Sequence, residues 1–260
     1  MREESLRALL HRLPQDEFHR DHLVELLERC GYARPDDRIA ALVRDGSILK
    51  FGGGWYALGE PFRRRSLHLR WLSNIMRASV LSLHYALWHY GAIPEHVEVF
   101  TAVSPLRSVS YSTPAGVFSY ARIPGKSFRS GAAIATLKDS AGEDERFFIA
   151  TPAKALSDLL WSEPSLSPST DWEAYLEHDI RLDMELLHRL SSAEVLKYAE
   201  TYASRTIASF AFWLETREKR QGLIRLPLVR QEKYIAGYAL SGGQAPGQRT
   251  LAGKTHLRRG

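Results

Sequence analysis

Cysteine is almost absent from this 260-residue sequence, and long apolar runs are missing. Cys30 is the only cysteine, which excludes an intrachain disulfide and a zinc site built from several thiolates of one chain. No stretch approaches the roughly 18 apolar residues of a membrane-spanning helix, and the N-terminal "MREESLRALLHRL" lacks the apolar segment of a signal peptide. These absences predict a cytoplasmic protein with no membrane partner.

Motifs for catalysis and for cofactors are missing as well. "GKS" at 125–127 and "GKT" at 253–255 lack the glycine that a phosphate-binding loop carries five positions before its Gly-Lys pair. No GxSxG sequence supports a serine nucleophile, and no lysine follows an acidic residue by two positions, the spacing sought for a metal-dependent nuclease. We therefore predict no catalytic residue, no metal site and no cofactor.

Charge is unevenly distributed along the chain, whose formal net charge is +5. Residues 1–60 carry −2, residues 61–70 carry +4, residues 161–216 carry −6 and residues 217–260 carry +8. The run from Arg63 to Arg65 and the C-terminal segment are therefore the predicted contacts for a polyanion.

The first 60 residues have the pattern of a winged helix-turn-helix. Leucines three and four residues apart predict a helix before Pro14 and a second helix over about 20–30. Pro35 suits the first position of a third helix, whose first turn contains Asp36 and Asp37. "SILKF" and "WYALG" then predict two strands joined by a turn of three glycines, residues 52–54.

The rest of the chain completes a predicted α+β fold. Residues 61–78 are predicted to be a connecting helix or linker, and residues 79–221 a mixed domain with a small, mostly antiparallel sheet and a helical C-terminal part. "YSTPAGVFSYARI" predicts one hairpin, and "AAIATL" with "RFFIA" predicts another. Residues 222–260 have too little apolar content to bury and are predicted to be a basic, partly disordered tail.

A winged helix-turn-helix places its third helix in the major groove of DNA and its hairpin against the backbone. The apolar face of the third helix is expected to turn inward, which leaves Ala41 and Arg44 outward and Arg38 beside them. Arginines there can reach guanine edges or phosphates, whereas Asp36 and Asp37 oppose binding. The predicted contacts with double-stranded operator DNA are Arg34, Arg38, Ala41, Arg44, Lys50, Gly53, Arg63, Arg64 and Arg65. An operator with inverted-repeat symmetry would be bound by a dimer.

Two other functions stay open. A nuclease-like enzyme on the C-terminal domain would need converging carboxylates, and Asp139, Glu143 and Asp158 are the candidates. A protein-interaction module without DNA binding would use the acidic block at 161–216 to contact a basic partner.

The stretch "RFFIATPAKALSDLLW", residues 146–161, joins a predicted strand to a predicted helix. Thr151 is expected to cap that helix and Pro152 to begin it. Lys154 and Asp158 are four residues apart, so we expect them to pair on the outer side of the helix and to contribute about 0.2–0.5 kcal/mol. We interpret the pair as structural.

Four passages, in a fixed order, resemble a known family. They are "SILKFGGGWYALG", "LSLHYALWHYG", "YSTPAGVFSYARI" and "IATPAKALSDLLW". Together they resemble the AbiE-type (AbiEi) antitoxins of type IV toxin–antitoxin and abortive-infection systems, over roughly residues 1–210.

The resemblance implies an N-terminal winged helix that binds promoter DNA and represses its own operon. It also implies a C-terminal domain that antagonises a nucleotidyltransferase-like toxin encoded nearby, without a stable complex between the two being assumed. Residues 50–55 would be wing residues, and residues 151–158 would be a strand-to-helix element of the antitoxin domain. The basic tail is not a recognised feature of the family.

Overall fold

Helices and short strands alternate along the chain and form two separate sheets. The computed structural model describes residues 8–13, 15–60, 62–138 and 142–221. The predicted tail at 222–260 lies outside these residues. The architecture is mixed α+β, as predicted, with one sheet of three antiparallel strands and one of six mixed strands.

The N-terminal part packs helices on the smaller sheet. Its elements are a helical turn at 8–10, β1 (Glu17–His19), α1 (Arg20–Arg29), α2 (Pro35–Arg44), β2 (Ile48–Lys50) and β3 (Trp55–Leu58). The strand order is β1-β3-β2, with Glu17 opposite Ala57 and Ile48 opposite Leu58. The hairpin of β2 and β3 is confirmed, and β1 is a strand that the sequence pattern did not predict. Leucines of both helices are buried against this sheet.

The predicted connecting helix begins later than expected. Helix α3 spans Leu69–Arg77, and residues 63–68 are not helical. The main-chain N–H groups of Arg64 and Arg65 donate to the Asp16 carboxylate, and that of His68 donates to the Glu17 carboxylate. Because these donors bind side chains of the N-terminal sheet, they are not available for helical hydrogen bonds.

The larger sheet forms the centre of the second part of the chain. Its strands and short helices are β4 (Val80–Leu81), α4 (Leu83–His89), β5 (Phe100–Ser104), β6 (Val109–Thr113), β7 (Gly116–Arg122), α5 (Gly125–Phe128), β8 (Ala132–Lys138) and β9 (Asp144–Ala150). Their order is β6-β7-β5-β4-β9-β8. Both predicted hairpins are present, β6 with β7 and β8 with β9. The sheet is mixed: the pairs β5–β7 and β4–β9 are parallel, and the other three pairs are antiparallel, as predicted for most of the sheet.

The C-terminal part is helical, as predicted. It contains α6 (Pro152–Ser162), α7 (Trp172–Ala174), a π-helical turn (Tyr175–Asp179), α8 (Met184–Leu187), α9 (Ser192–Tyr202) and α10 (Arg205–Gln221). No helix among the described residues is long and apolar enough to cross a membrane.

Helix α6 lies in the core with no outer face, which corrects the placement of Lys154 and Asp158. Every residue from 153 to 160 is buried, and the side chains of Lys154 and Asp158 are only 2% and 0% exposed. The two do pair, and Asp158 also accepts hydrogen bonds from Tyr202 and from Ser82 (2.6 Å). Burial lowers the pKa of Lys154, and the charge of Asp158 partly opposes that shift. The expectation of an exposed pair is wrong because α4, α9 and α10 cover the helix.

Candidate nucleic-acid interface

Helix α2 presents the predicted recognition face to solvent. Ile39 and Leu42 are buried in the N-terminal core, whereas Arg44 is exposed and Ala41 is half-buried. Pro35 occupies the first turn, where its missing N–H costs no hydrogen bond. The inward and outward sides of this helix are therefore those that the sequence predicts.

The two aspartates at the start of α2 are paired with arginines. Asp36 binds Arg20, and the Asp37 carboxylate lies 2.9 Å from Nε of Arg34. Arg38 lies over the Tyr32 ring, with its guanidinium carbon 5.9 Å from the ring centroid. These pairs reduce the local negative charge, but they also engage Arg34, one of the predicted DNA contacts.

The glycine turn of the β2–β3 hairpin lies against the second part of the chain. A Cβ at Gly52 would lie 2.5 Å from the Tyr111 ring, and one at Gly53 would lie 2.4 Å from the main-chain oxygen of Met76. Gly53 has a φ of +64°, which favours glycine. Glycine is needed here for close approach as well as for backbone conformation, while Lys50 beside the turn stays exposed.

Arg63, Arg64 and Arg65 are bound within the molecule. Arg64 donates from its main-chain N–H (2.8 Å) and from Nε (2.6 Å) to Asp16, and Nη2 of Arg65 lies 2.7 Å from Glu17. Both carboxylates are buried, at 1% exposure each. Arg63 pairs with Glu60 and donates weakly to the main-chain oxygen of Leu58. We call Asp16, Glu17, Arg64 and Arg65 the carboxylate clamp.

The pKa of Asp16 reflects this clamp. Burial acts to raise the pKa, but the hydrogen bonds from Arg64 and Arg65 outweigh it and hold the pKa below its ordinary value of 3.8. The ionised carboxylate therefore stabilises the junction between the N-terminal sheet and the segment that follows it.

A second group of arginines, which the sequence did not predict as DNA contacts, lies where the end of α3 meets the open end of the β6–β7 hairpin. Nη2 of Arg77 donates to the main-chain oxygen of Arg107 (2.8 Å), and the main-chain N–H of Arg122 donates to the Ser108 hydroxyl (2.9 Å). None of these three arginines forms an ion pair in the part of the chain that the structure describes. We call Arg77, Arg107 and Arg122 the open arginines.

The signal for the open arginines was present in the sequence. Residues 99–138 contain five Lys or Arg and no Asp or Glu. Acids on either side of this run, at 95–98 and 139–145, reduce the net charge of residues 71–160 as a whole to +1.

A groove runs between β2 and the turn end of the β6–β7 hairpin. Its volume is about 370 Å³, and it is lined by Val43, Ile48, Leu49, Lys50, Phe51, Tyr111, Ser112, Thr113 and Pro114. The end of α2, the hairpin and the larger sheet therefore share one surface, on which Arg44 and Lys50 also have no ion-pair partner within the described ranges.

The carboxylates proposed for a nuclease site are not assembled in the residues that can be described. Glu143 is exposed and lies near Arg65, whereas Asp158 is buried in the bonds described above. Asp139 lies outside the described residues. Across the described ranges, no group of three or more His, Cys, Asp or Glu side chains has an arrangement that would hold a metal ion.

Comparison with known proteins adds no relative: no protein-family model matches the chain, and no curated protein matches it significantly.

Proposed function

We propose that this protein is a transcriptional regulator that binds double-stranded operator DNA and also acts as an antitoxin. In this proposal, α1 and α2 with the β2–β3 hairpin serve as a winged helix-turn-helix, and α2 is the recognition helix. The observation that carries the proposal is a set of unpaired cations: Arg44 and Lys50 near the groove, and the open arginines at the other end of the β6–β7 hairpin. None of them has an ion-pair partner among the described residues, and Arg44, Lys50, Arg107 and Arg122 are exposed, so those four are available to phosphates.

Electrostatics favour a long duplex over a small anion on this surface. Each phosphate that is neutralised releases counterions, and several such contacts supply most of the non-specific affinity. Arg44 on α2 lies at the helix face that would meet base edges, whereas Lys50 and the open arginines suit backbone contact. The second part of the chain would thus extend the contact made by the N-terminal part.

A mobility-shift assay on the protein's own upstream region tests the DNA half of the proposal. We expect a shift at low salt that weakens as salt rises. Arg44→Ala should weaken binding to that region by about tenfold, the effect of losing one good base contact. Arg29→Ala is the matched control, because Arg29 is an exposed arginine of the same module that pairs with Glu25. No shift, or equal losses in both variants, would contradict the proposal.

The antitoxin half rests on the family resemblance of four sequence passages. They fall on β2–β3, α4, β6–β7 and β9–α6, which are spread over both sheets. We propose that the second part of the chain counteracts a nucleotidyltransferase-like toxin encoded nearby. Expression of the neighbouring reading frame with and without this protein tests that role. Rescue from growth arrest is the expected result, and unrelieved arrest would contradict it.

A further inference from the structure

Strand β8 lies at one edge of the larger sheet and leaves an apolar patch exposed. In the strand order of the described residues, β9 is its one neighbour. Side chains of β8 alternate between the two faces of the sheet, so Ala135 is buried whereas Ile134 beside it is 67% exposed. Phe148, directly opposite Ile134 on β9, is 50% exposed. These two large apolar side chains form a strip next to the open edge of the sheet.

The hydrogen bonds of Phe148 show which main-chain groups of β8 face the open edge. Its N–H donates to the side-chain oxygen of Asn74 (2.6 Å), and its carbonyl accepts from the side-chain nitrogen of the same residue (3.0 Å). Because opposite residues of an antiparallel pair exchange either both hydrogen bonds or none, Ile134 and Phe148 exchange none. The N–H and C=O groups of Ile134 therefore point away from β9, and alternation gives those of Ala132 and Thr136 the same direction.

The features that usually prevent an edge strand from pairing are missing from β8. Its outward main-chain groups have no hydrogen-bond partner within the part of the chain that the structure describes. Proline, a bulge or charged side chains commonly block such an edge. β8 has no proline, its seven residues pair with β9 without a bulge, and its single charge is Lys138 at the end. Lys138 is held by Asp144 of the same hairpin (3.1 Å), so β8 can accept a further strand along its outer side.

Strand β8 is complementary to a second copy of itself. Antiparallel pairing about a two-fold axis at Ile134 places that residue opposite its symmetry copy, and Ala132 opposite the second copy's Thr136. Each of these residues has its N–H and C=O groups on the outer side, so each strand offers donors where the other offers acceptors. Lys138 would lie opposite the second copy's Ser130, so no like charges meet across the pair.

We propose that two copies of this chain associate edge to edge through β8, which joins their larger sheets into one continuous sheet. The two Ile134 side chains meet at the axis with a Phe148 on either side, so the two exposed strips become one apolar cluster, whose burial favours the dimer. On the other face of β8, Ala133 and Ala135 are too small to collide. An unrelated strand would meet the same main-chain groups but would not place a second isoleucine against Ile134. Because a two-fold pair is closed, association stops at two copies.

Sedimentation velocity of the full-length protein over a range of concentrations tests the association. A single strand pair is smaller than a standard interface, so we expect a monomer–dimer equilibrium with a Kd on the order of 50 μM. Ile134→Lys would bring two ammonium groups together at the axis and should weaken dimerisation at least tenfold. Phe212→Lys is the matched control, because Phe212 is an exposed apolar residue of α10 outside the strip, and this variant should dimerise like the natural sequence.

Disulfide trapping tests the position of the axis. Cys30→Ala removes the natural cysteine, so that each chain then carries a single introduced thiol. The cysteine of Ile134→Cys would face its own symmetry copy and should form a covalent dimer on oxidation. Residues of a strand rise about 3.3 Å each, so the cysteine of Thr136→Cys would lie about 13 Å from its copy, beyond the reach of a disulfide. That variant should give at least tenfold less covalent dimer.

Three results would overturn the proposal. The first is a protein that remains monomeric at ten times the expected Kd. The second is a dimer that Ile134→Lys weakens no more than Phe212→Lys does, and the third is equal trapping at positions 134 and 136. The experiments contain no DNA, so their outcome is independent of the proposed operator binding.

Discussion

The clamp arginines and the open arginines are chemically identical but differ in their surroundings. Arg64 and Arg65 meet two buried carboxylates, so their charge is used within the molecule. Arg107 and Arg122 are exposed on a stretch of 40 residues without any acid. The first group stabilises the junction of two structural parts, and the second leaves positive charge available to a partner.

This difference shows why net charge is a poor guide to a binding surface. The run of three arginines at 63–65 is the densest basic cluster in the described residues, yet each of its guanidinium groups contacts an acid of the same chain. The open arginines come from α3, the segment before β6, and β7, and only the fold brings them together. What matters for a polyanion is the charge that remains unpaired.

The largest effect on stability is expected at the buried ion pair of Lys154 and Asp158. Asp158→Ala should lower the free energy of unfolding by about 3–5 kcal/mol, because it leaves the Lys154 ammonium buried without its partner. Denaturant unfolding measures the change. Asp144→Ala is the control, since Asp144 pairs with Lys138 at the surface, and its cost should stay below about 1 kcal/mol. Equal losses in the two variants would contradict the burial of the Lys154–Asp158 pair.

A smaller loss of stability is expected at Gly53, where the turn of the β2–β3 hairpin contacts helix α3. Gly53→Ala adds a left-handed alanine and a collision with the Met76 oxygen, and should cost about 3 kcal/mol. Gly31 has a φ of +81° with open space around its Cβ position, so Gly31→Ala should cost only about 1 kcal/mol. Thermal or denaturant unfolding compares the two. If both variants lose the same stability, the turn is not held against α3.

The clamp should also give stability a pH dependence. The folded-state pKa of Asp16 is depressed, so its contribution is present above the ordinary value of 3.8 and is lost as pH falls through the folded-state pKa. Asp16→Asn should therefore cost about 1.5 kcal/mol at pH 7 and progressively less below about pH 4. Unfolding curves between pH 7 and pH 2.5 measure both proteins. A difference that stays constant with pH would argue against the ionised clamp.

The smallest effect on stability is expected for the open arginines. Arg107→Gln with Arg122→Gln removes two exposed charges that have no ion-pair partner among the described residues, so the free energy of unfolding should change by less than about 0.5 kcal/mol. Thermal unfolding measures it. A loss of several kcal/mol would mean that these arginines stabilise the fold, as the clamp arginines do.

Local patterns were sufficient to predict much of this fold. The glycine turn at 52–54, the "PAG" turn at 114–116 and the helix that begins at Pro152 all depend on residues within a few positions of one another. Their backbone preferences act whatever the rest of the chain does.

The errors came from contacts that are distant in sequence. β1 was missed because Glu17, a buried acid in a strand of three residues, becomes tolerable only through Arg65 and the main-chain N–H of His68, 48 and 51 positions later. Asp158 was placed outside because Tyr202, 44 positions later, is not visible from the helix periodicity. The sequence predicted DNA contacts on α2 and the β2–β3 hairpin. It did not predict the open arginines, because only the pairing of distant strands brings them together.

The salt dependence of operator binding tests the central claim most directly. Fluorescence anisotropy would give the slope of log K against log salt for the natural sequence, for Arg107→Gln with Arg122→Gln, and for Arg64→Gln. Asp16 keeps two main-chain donors when the Arg64 side chain is removed, so that variant is expected to fold. We predict that the double variant lowers the magnitude of the slope by about 2, close to 0.9 per lost phosphate contact, and that Arg64→Gln leaves it unchanged. An unchanged slope in the double variant, or a larger change in Arg64→Gln, would contradict the account.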